Sequence, residues 1–330
     1  MDQEKILTIS VAAYNLGKMI EDNLEPILKA KNKEAVEVIV TDDGSKDNTA
    51  EYIKKYVEKY PDTFKLVSKE NQGAGSTVNS GIKHATGKYF KMIDGDDWIK
   101  TEDLEKFVDE LKKCNSDIVL TNYEIFDETK KSIIKNEKLS LDICREKNFS
   151  DICAGLTLNM YNITIKTNIL KDNNIVLDNG FYTDVEYLLL PIPFVRTVTV
   201  LNLNAYVYRV ARVGQSVSLP NMQKHIKDHD LVFKRLIKYY EVNKEAMDEN
   251  RKKFMRERIA SMAEVQLGTL LSMYGKTVGK KEIRAFMKEI QTLSQEIYDC
   301  FSNKKKASII LKSKYILTPI LSKVYIMKNS

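Results

Sequence analysis

Three acidic residues stand together directly after the short apolar stretch KYFKMI. Asp94 and Asp96 flank Gly95, and Asp97 follows at once. Two carboxylates two residues apart can converge on one hard divalent cation, such as Mg²⁺ or Mn²⁺. An ion held in this way keeps open positions for phosphate oxygens and neutralises charge on a departing diphosphate. The alternative interpretation is an exposed acidic turn in front of the next helix, in which the three acids would repel one another.

A second acidic pair, Asp42 and Asp43, follows the β-branched stretch VEVIVT and precedes Gly44. A carboxylate at the end of a strand can accept hydrogen bonds from a nucleobase or from ribose hydroxyls. Asp-Gly is also a common turn dipeptide, so a plain turn is the alternative.

A glycine-containing segment, NQGAGSTVNSG, occupies residues 71–81. Its glycines would let the backbone approach a ligand and open a helix. The spacing matches neither a phosphate-binding loop nor a dinucleotide-binding fingerprint. By itself the segment is typical of a loop.

Strands and helices alternate through the first part of the chain, which predicts an α/β fold with a mainly parallel sheet covered on both faces. Ligands of such sheets bind beyond the carboxyl ends of the strands, where the acidic pairs lie. The predicted strands are residues 6–13, 36–41, 64–68, 88–93 and 117–122. The predicted helices are residues 18–30, 49–60, 76–85 and 101–113, the second opened by a capping box of Asn48 and Glu51.

The remainder of the chain changes character. Residues 132–218 are less regular, with predicted strands at 157–165, 194–200 and 205–210 and a helix at 183–190. Long helical patterns follow at residues 222–243, 246–274 and 281–301. We therefore expect two domains, a nucleotide-binding and catalytic domain at 1–218 and a helical C-terminal domain at 219–330.

The composition excludes several classes of protein. The 330 residues carry a net charge of +6, without the grouped basic and aromatic residues of a nucleic-acid-binding module. The four cysteines form no C-x-x-C pair, which argues against a zinc site or a disulfide framework. Since we find neither a signal peptide nor an apolar run of about 18 residues, we expect a cytoplasmic protein, with the inner face of the membrane as the alternative.

The order of four motifs is more specific than any one of them. VAAYN, VIVTDDGS, ENQGAGSTVNSGI and GKYFKMIDGDDW follow one another at residues 6–125 in a way that resembles glycosyltransferase family 2, and a looser resemblance continues to residue 218. The resemblance implies the GT-A fold and an inverting mechanism. One departure is Val78, where many relatives carry arginine before the residue that corresponds to Asn79.

The resemblance also implies roles for individual residues. The donor-binding set would be Ala13, Tyr14, Asn15, Asp42, Asp43, Asn79, Asp94, Gly95, Arg209, Arg212 and Ser216. Within this set Asp43 should bind the uracil with help from Asp42, and Asp94 should lie near the ribose or the donor sugar. Asp96 should be the main metal ligand, with Asp94 as a second. Trp98 is either a core anchor or a sugar platform on the acceptor side.

Two later segments complete the implied site. In FYTDVEY, Asp184 stands at the family's acidic motif and is assigned as the general base, with Glu186 in reserve. The alternative is a capping box formed by Thr183 and Glu186. In YRVARVGQSVS, Arg209, Arg212 and Ser216 would close over the diphosphate, the alternative being a surface hairpin.

The function implied by the resemblance is metal-dependent transfer of a sugar from a UDP-sugar, with Mn²⁺ or Mg²⁺, to an acceptor hydroxyl. The acceptor would be a carbohydrate, a glycolipid or a glycoprotein in bacterial surface glycan synthesis. A nucleotidyltransferase of the same fold is the first alternative, but it needs a glycine- and lysine/arginine-rich loop where this chain has YNLGK. A non-catalytic sugar-binding or chaperone subunit is the second, and it would be expected to lose acids that are all present here.

The C-terminal tail combines lysines with apolar groups. Residues 304–328 contain seven lysines and no acid. An amphipathic segment of this kind predicts either self-association through helices or peripheral contact with an anionic membrane surface. Packing within the chain is the third alternative, and Pro319 should interrupt any single long helix.

Overall fold

The computed structural model describes residues 4–139, 145–211 and 218–329, and side chains up to Lys328. Two compact units divide the chain, Met1–Val213 and Gly214–Ser330. The first holds the sheet and the second is helical.

The described residues of the first unit form nine strands and seven α-helices. The strands are β1 (Leu7–Ala13), β2 (Val36–Asp42), β3 (Phe64–Ser68), β4 (Tyr89–Asp94), β5 (Ile118–Asp127), β6 (Ser132–Glu137), β7 (Lys147–Asn148), β8 (Ile163–Lys166) and β9 (Thr197–Val210). The helices are α1 (Ile20–Lys29), α2 (Thr49–Lys59), α3 (Ala74–His84), α4 (Thr101–Lys113), α5 (Phe149–Ile152), α6 (Thr167–Asp172) and α7 (Thr183–Leu189).

One mixed sheet joins these strands in the order β3-β2-β1-β4-β8-β5-β9-β7, and β6 pairs with β5. The pairs β1–β2, β1–β4, β2–β3 and β5–β9 are parallel, whereas β8 runs antiparallel to both of its neighbours. All seven residues of β2 are buried, as expected for a central strand covered on both faces. The carboxyl ends of β1, β2 and β4 therefore meet at one edge.

The middle of the chain departs from the sequence prediction, which lacked the short elements β6, β7, α5 and α6 and misplaced two strands. A strand predicted at residues 157–165 is reduced to Ile163–Lys166 because Asn159 and Asn162 build a turn, their side chains bonding nearby backbone. The strands predicted at 194–200 and 205–210 are one continuous strand, Thr197–Val210, with register irregularities opposite Asn122. Asn122 donates its side-chain amide to Asn202 at 3.0 Å within that irregular stretch.

The cap predicted for α2 is also wrong. Asn48 makes no side-chain capping bond. Asp47 instead accepts from the backbone N–H of Thr49 at 3.0 Å and from its hydroxyl. The same Thr49 hydroxyl accepts the backbone N–H groups of Leu16 and Gly17, at 2.9 and 2.8 Å. Thr49 thereby fixes the loop that follows β1.

The second unit consists of helices, as the sequence predicted. They are α8 (Leu219–Lys224), α9 (Ile226–Asn243), α10 (Glu249–Ser272), α11 (Lys280–Leu293), α12 (Gln295–Ser302), α13 (Lys305–Lys312) and α14 (Thr318–Asn329). The helix predicted at 281–301 is split because Ser294 caps a new helix, its hydroxyl accepting from the N–H of Ile297. Within the described part of the chain no helix has both the length and the apolar character to span a bilayer.

Candidate active site

The loops after β1 and β2 are bonded to each other at the carboxyl edge of the sheet. The N–H of Asp43 donates to the carbonyl of Ala13 at 2.9 Å, and the N–H of Asn15 donates to the hydroxyl of Ser45 at 3.0 Å. Asn15 adopts a positive φ of 49°, and the side chain of Tyr14 is about half exposed. The loops that carry the residues predicted to line a nucleoside pocket are therefore bonded together beside Asp43.

The carboxylates of Asp42 and Asp43 are nearly buried and bonded to the protein. Asp42 accepts from the backbone N–H of Ser45 at 3.1 Å. Asp43 accepts from the N–H of Gly73 at 2.8 Å and forms an ion pair with Lys69 at 2.5 Å. Lys69 was absent from the predicted set, and its charge balances Asp43 at this edge. The plain-turn interpretation of Asp-Gly accounts for Gly44, but not for this network.

The glycine-containing segment approaches the chain's own backbone rather than open space. A Cβ on Gly75 would lie 1.6 Å from the carbonyl oxygen of Asp178, and one on Gly73 would lie 2.0 Å from that of Asn179. Asn79 fastens the same contact, since its amide accepts from the N–H of Leu177 at 2.8 Å and donates to its carbonyl at 2.9 Å. The expectation that these glycines let the backbone approach a ligand is wrong. They leave room instead for the backbone of the segment that leads into α7. Asn79 likewise has a positioning role in this structure.

The acidic loop after β4 gathers three carboxylates. Oxygen atoms of Asp94, Asp96 and Asp97 lie within 4.8 Å of one another. Gly95 is required here, because a Cβ would lie 2.5 Å from the carbonyl oxygen of Ala12. The loop is thus pressed against the end of β1, next to the predicted nucleoside surface.

Asp97 anchors the acidic loop to β9 through hydrogen bonds. It is almost fully buried, its Oδ2 accepts from the Tyr206 hydroxyl at 2.6 Å, and its Oδ1 accepts from the N–H of Arg209 at 2.8 Å. Burial, together with the charges of Asp94 and Asp96, raises the pKa of Asp97 well above its usual value. Asp94 and Asp96 are therefore the carboxylates suited to a hard divalent cation, as oxygen ligands on a rigid turn.

Arg209 bonds to the acidic loop itself, because its Nε donates to the carbonyl of Asp96 at 2.8 Å. Its guanidinium donates to Glu128 and to Asp22, each at 2.7 Å, and lies over the rings of Trp98 and Phe126 at 4.8 and 5.8 Å. Trp98, Phe126 and Arg209 line a cleft of about 540 Å³. In this structure Arg209 therefore holds the acidic loop through three bonds, and its contact with a diphosphate stays a prediction.

Two further predicted donor-binding residues, Arg212 and Ser216, lie outside the described residues.

A group of tyrosines and a buried lysine was not predicted. Because side chains alternate along β9, Tyr206 and Tyr208 lie on the sheet face opposite Arg209. Tyr161 stacks on Tyr208 with ring centroids 4.4 Å apart. Lys91, three residues before Asp94, is fully buried and donates to the carbonyl of Tyr161 at 2.9 Å. Burial lowers the pKa of Lys91 to about 7, and a lysine inside the stretch KYFKMI was the available signal.

Helix α7 presents the predicted general base. Asp184 is the second residue of the helix and is half-buried. Tyr182, immediately before the helix, has a positive φ of 69°, a strained conformation for a bulky residue. The capping box with Thr183 is not formed, because Glu186 is fully buried and accepts from the N–H of Asp178 at 2.5 Å. Glu186 therefore holds the segment before α7.

Helix α7 also contacts the strand that carries the acidic loop. The Tyr187 hydroxyl donates to the carbonyl of Phe90 on β4 at 3.2 Å, and the two rings pack with centroids 6.1 Å apart. Asp184 thus lies on a helix anchored to the strand that ends at Asp94.

Comparisons with known proteins agree with this architecture. The family model described as Glycosyl transferase family 2 matches residues 8–176. Glycosyltransferase GlyG of Streptococcus pneumoniae serotype 4 is 31% identical over 126 residues, which cover 38% of this chain and about two fifths (41%) of that protein.

Two solved structures share the fold over most of the chain. TarS 1–349 from S. aureus, crystallised with UDP, has a TM-score of 0.65 at 19% identity and covers 98% of this chain and 92% of that one. The mannosyltransferase PcManGT from Pyrobaculum calidifontis, in complex with GDP-Man and Mn²⁺, has a TM-score of 0.53 at 16% identity, covering 98% of this chain and 86% of that one. The predicted GT-A fold followed by a helical region is confirmed.

Proposed function

Because the chain belongs to glycosyl transferase family 2, we propose that it transfers a sugar from a UDP-sugar to an acceptor hydroxyl with inversion at the anomeric carbon. The observation that carries this proposal is the convergence of Asp94 and Asp96 beside the bonded loops that follow β1 and β2. The carboxylates proposed to bind the cation and the loops proposed to bind the nucleoside lie at the same edge of the sheet, which supports binding of a nucleotide diphosphate there.

The choice of UDP is supported by a structural neighbour. TarS was crystallised with UDP, whereas PcManGT was crystallised with GDP-Man. We favour UDP because the neighbour with the higher TM-score binds it. The nucleobase would lie between Tyr14 and Asp43. There its N–H group would compete with the donors that Asp43 has in this structure, which are Lys69 and the N–H of Gly73.

Asp94 and Asp96 would hold Mn²⁺ or Mg²⁺. When bound, such an ion supplies positive charge to the diphosphate as it leaves. Asp97, Tyr206 and Arg209 keep the two carboxylates in place through bonds of 2.6 and 2.8 Å to the Asp97 oxygens. Rigid support of this kind matters because a loosely held site loses catalytic power.

Asp184 would act as the general base. In a single displacement the acceptor oxygen forms a bond to the anomeric carbon, the bond from that carbon to the diphosphate oxygen breaks, and Asp184 takes the hydroxyl proton. A carboxylate in the first turn of a helix is stabilised in its ionised form, which suits this task. Glu186 is buried and bonded to Asp178, so we assign it to positioning.

The acceptor is proposed to be a carbohydrate, a glycolipid or a glycoprotein of a bacterial surface glycan pathway. GlyG, to which the chain is similar over 126 residues, is a bacterial glycosyltransferase. The identity of the sugar and the linkage are open to direct assay.

The test is nucleotide release from a panel of UDP-, GDP- and dTDP-sugars in Mn²⁺, with and without mixed glycan acceptors. The proposal expects UDP release that an acceptor stimulates, and its loss in Asp96→Asn but not in the exposed-acid control Asp62→Asn. Pyrophosphate release from a nucleoside triphosphate would instead identify a nucleotidyltransferase. Binding of UDP-sugars without any release would identify a non-catalytic subunit.

A further inference from the structure

One face of helix α14 is anchored within the second unit. The Ser322 hydroxyl donates to the carbonyl of Leu271 on α10 at 2.7 Å. The Tyr325 ring packs so closely on Gly268 that a Cβ there would lie 2.7 Å from the ring. Thr318, on the same side, is fully buried. These contacts fix which side of α14 points away from the unit.

The opposite face is apolar and exposed. The large side chains on α14 and the turn before it that remain exposed are Ile316, Leu317, Ile320, Val324 and Met327. Ile316 is 70% exposed and Met327 is 73% exposed. We call these five residues the tail face. Elsewhere on the described surface exposed large apolar side chains are scattered, whereas here five fall within twelve consecutive positions. Contiguous apolar surface of this kind marks an interaction site.

The charged residues of the tail segment itself all have one sign. Lys323 and Lys328 are exposed on α14 itself, and Lys312 and Lys314 are exposed just before it. No acidic residue occurs between residues 304 and 328. The partner of this surface must therefore be apolar and negatively charged at the same time.

We propose that the tail face docks onto an anionic lipid bilayer, with its aliphatic side chains in the interface and its lysines at the headgroups. A helix that lies in the membrane plane has this division between an apolar side and basic flanks. A second copy of the tail face is a poorer partner, because a two-fold contact would bring the same lysines together without an acid to pair them. The inference is independent of the donor and acceptor proposed above.

Vesicle flotation tests the proposal on the full chain. We expect binding to vesicles of phosphatidylcholine mixed with phosphatidylglycerol, little binding to phosphatidylcholine alone, and weakening in high salt. Lys323→Glu with Lys328→Glu should weaken binding by more than tenfold, since each lysine near such a surface contributes about fivefold. The matched charge control is Lys276→Glu with Lys288→Glu, at exposed lysines outside the tail.

The apolar part of the proposal has its own variant pair. Ile320→Ser with Met327→Ser should abolish flotation, whereas Val242→Ser, at a residue 82% exposed on α9, should leave it unchanged. Thermal unfolding by circular dichroism confirms that each variant folds. Equal flotation of the tail variants and wild type, or no flotation of wild type, overturns the proposal. A dimer in sedimentation that Ile320→Ser dissociates, without vesicle binding, also overturns it and identifies a second copy as the partner.

Discussion

The Tyr206 hydroxyl donates to Asp97 at 2.6 Å and also accepts the backbone N–H of Asp94 at 3.2 Å. One buried phenol on β9 thus bonds both ends of the acidic loop that follows β4. Removing the oxygen would leave the buried Asp97 carboxylate without one of its donors and the loop without its cross-link.

We therefore expect Tyr206→Phe to lower the free energy of unfolding by about 1–3 kcal/mol and to weaken Mn²⁺ binding. The control is Tyr89→Phe, which removes another buried hydroxyl that donates to the carbonyl of Ser116 at 3.0 Å, away from the loop. Urea unfolding and Mn²⁺ titration measure the two quantities. Equal Mn²⁺ affinities in the two variants would show that Tyr206 stabilises the fold without positioning the site.

Replacing Asp184 by Asn should affect the reaction rate, whereas replacing Glu186 by Gln should affect stability. Asp184→Asn is expected to reduce kcat by about 10²–10⁴-fold while the Kd for UDP stays unchanged, because the base faces the acceptor. Glu186→Gln is expected to lower stability by about 1–3 kcal/mol, because its buried carboxylate holds the N–H of Asp178. Kinetics and calorimetric UDP binding measure both variants. If Asp184→Asn loses UDP affinity in proportion to its rate, Asp184 is a donor ligand and the assignment fails.

Gly75 should tolerate no side chain. Gly75→Ala places a methyl group 1.6 Å from the carbonyl oxygen of Asp178, so the segment before α7 must move. We expect a loss of about 1–3 kcal/mol in stability and a fall in turnover as α7 shifts. The matched control is Gly155→Ala, where an added Cβ meets no atom within 4 Å. Urea unfolding of the two variants gives the comparison, and equal stabilities would contradict the packing described.

Lys91 should make stability depend on pH. Its pKa is lowered by burial from 10.5 to about 7, so between these values the unfolded chain holds a proton that the folded chain lacks. The stability contributed by the neutral amine is present above pH 10.5 and is lost as pH falls toward 7. The free energy of unfolding of Lys91→Met, measured relative to wild type, should therefore rise by about 1.4 kcal/mol for each pH unit from pH 9 down to pH 7.

Urea unfolding at pH 7, 8 and 9 measures this difference. Lys54→Met, at an exposed lysine on α2, is the control and should run parallel to wild type. A constant offset between Lys91→Met and wild type would mean that Lys91 stays charged in the folded protein.

The acidic residues at the carboxyl edge of the sheet were predicted from the sequence, but the residues that hold them in place were not. Residues such as Asp94 and Asp96 were recognised because strand ends are legible from short β-branched runs, and parallel strands bring those ends together. The helix at Thr101–Lys113 matched the prediction to the residue, since its apolar periodicity is regular. Order and spacing of local motifs therefore sufficed to predict the fold and to single out the acidic residues that the structure gathers after β4.

Bonds between side chains that are far apart in the sequence could not be predicted. The bond from Arg209 to Asp22, which is 187 residues away in sequence, was not predicted. The bond between Asn79 and Leu177, which are 98 residues apart, was likewise not predicted. It shows that the segment expected to be a loop packs against another part of the chain. Such contacts depend on which elements become neighbours, and no local periodicity records that.

The central claim, that Asp94 and Asp96 bind the cation that accompanies a nucleotide diphosphate, can be measured directly. Crystals grown with UDP and Mn²⁺ should show an anomalous manganese peak between these two carboxylates and the diphosphate oxygens, and the peak should vanish in Asp96→Asn. UDP bound at the edge formed by β1, β2 and β4 with manganese absent, or manganese bound at another group of residues, would contradict the account.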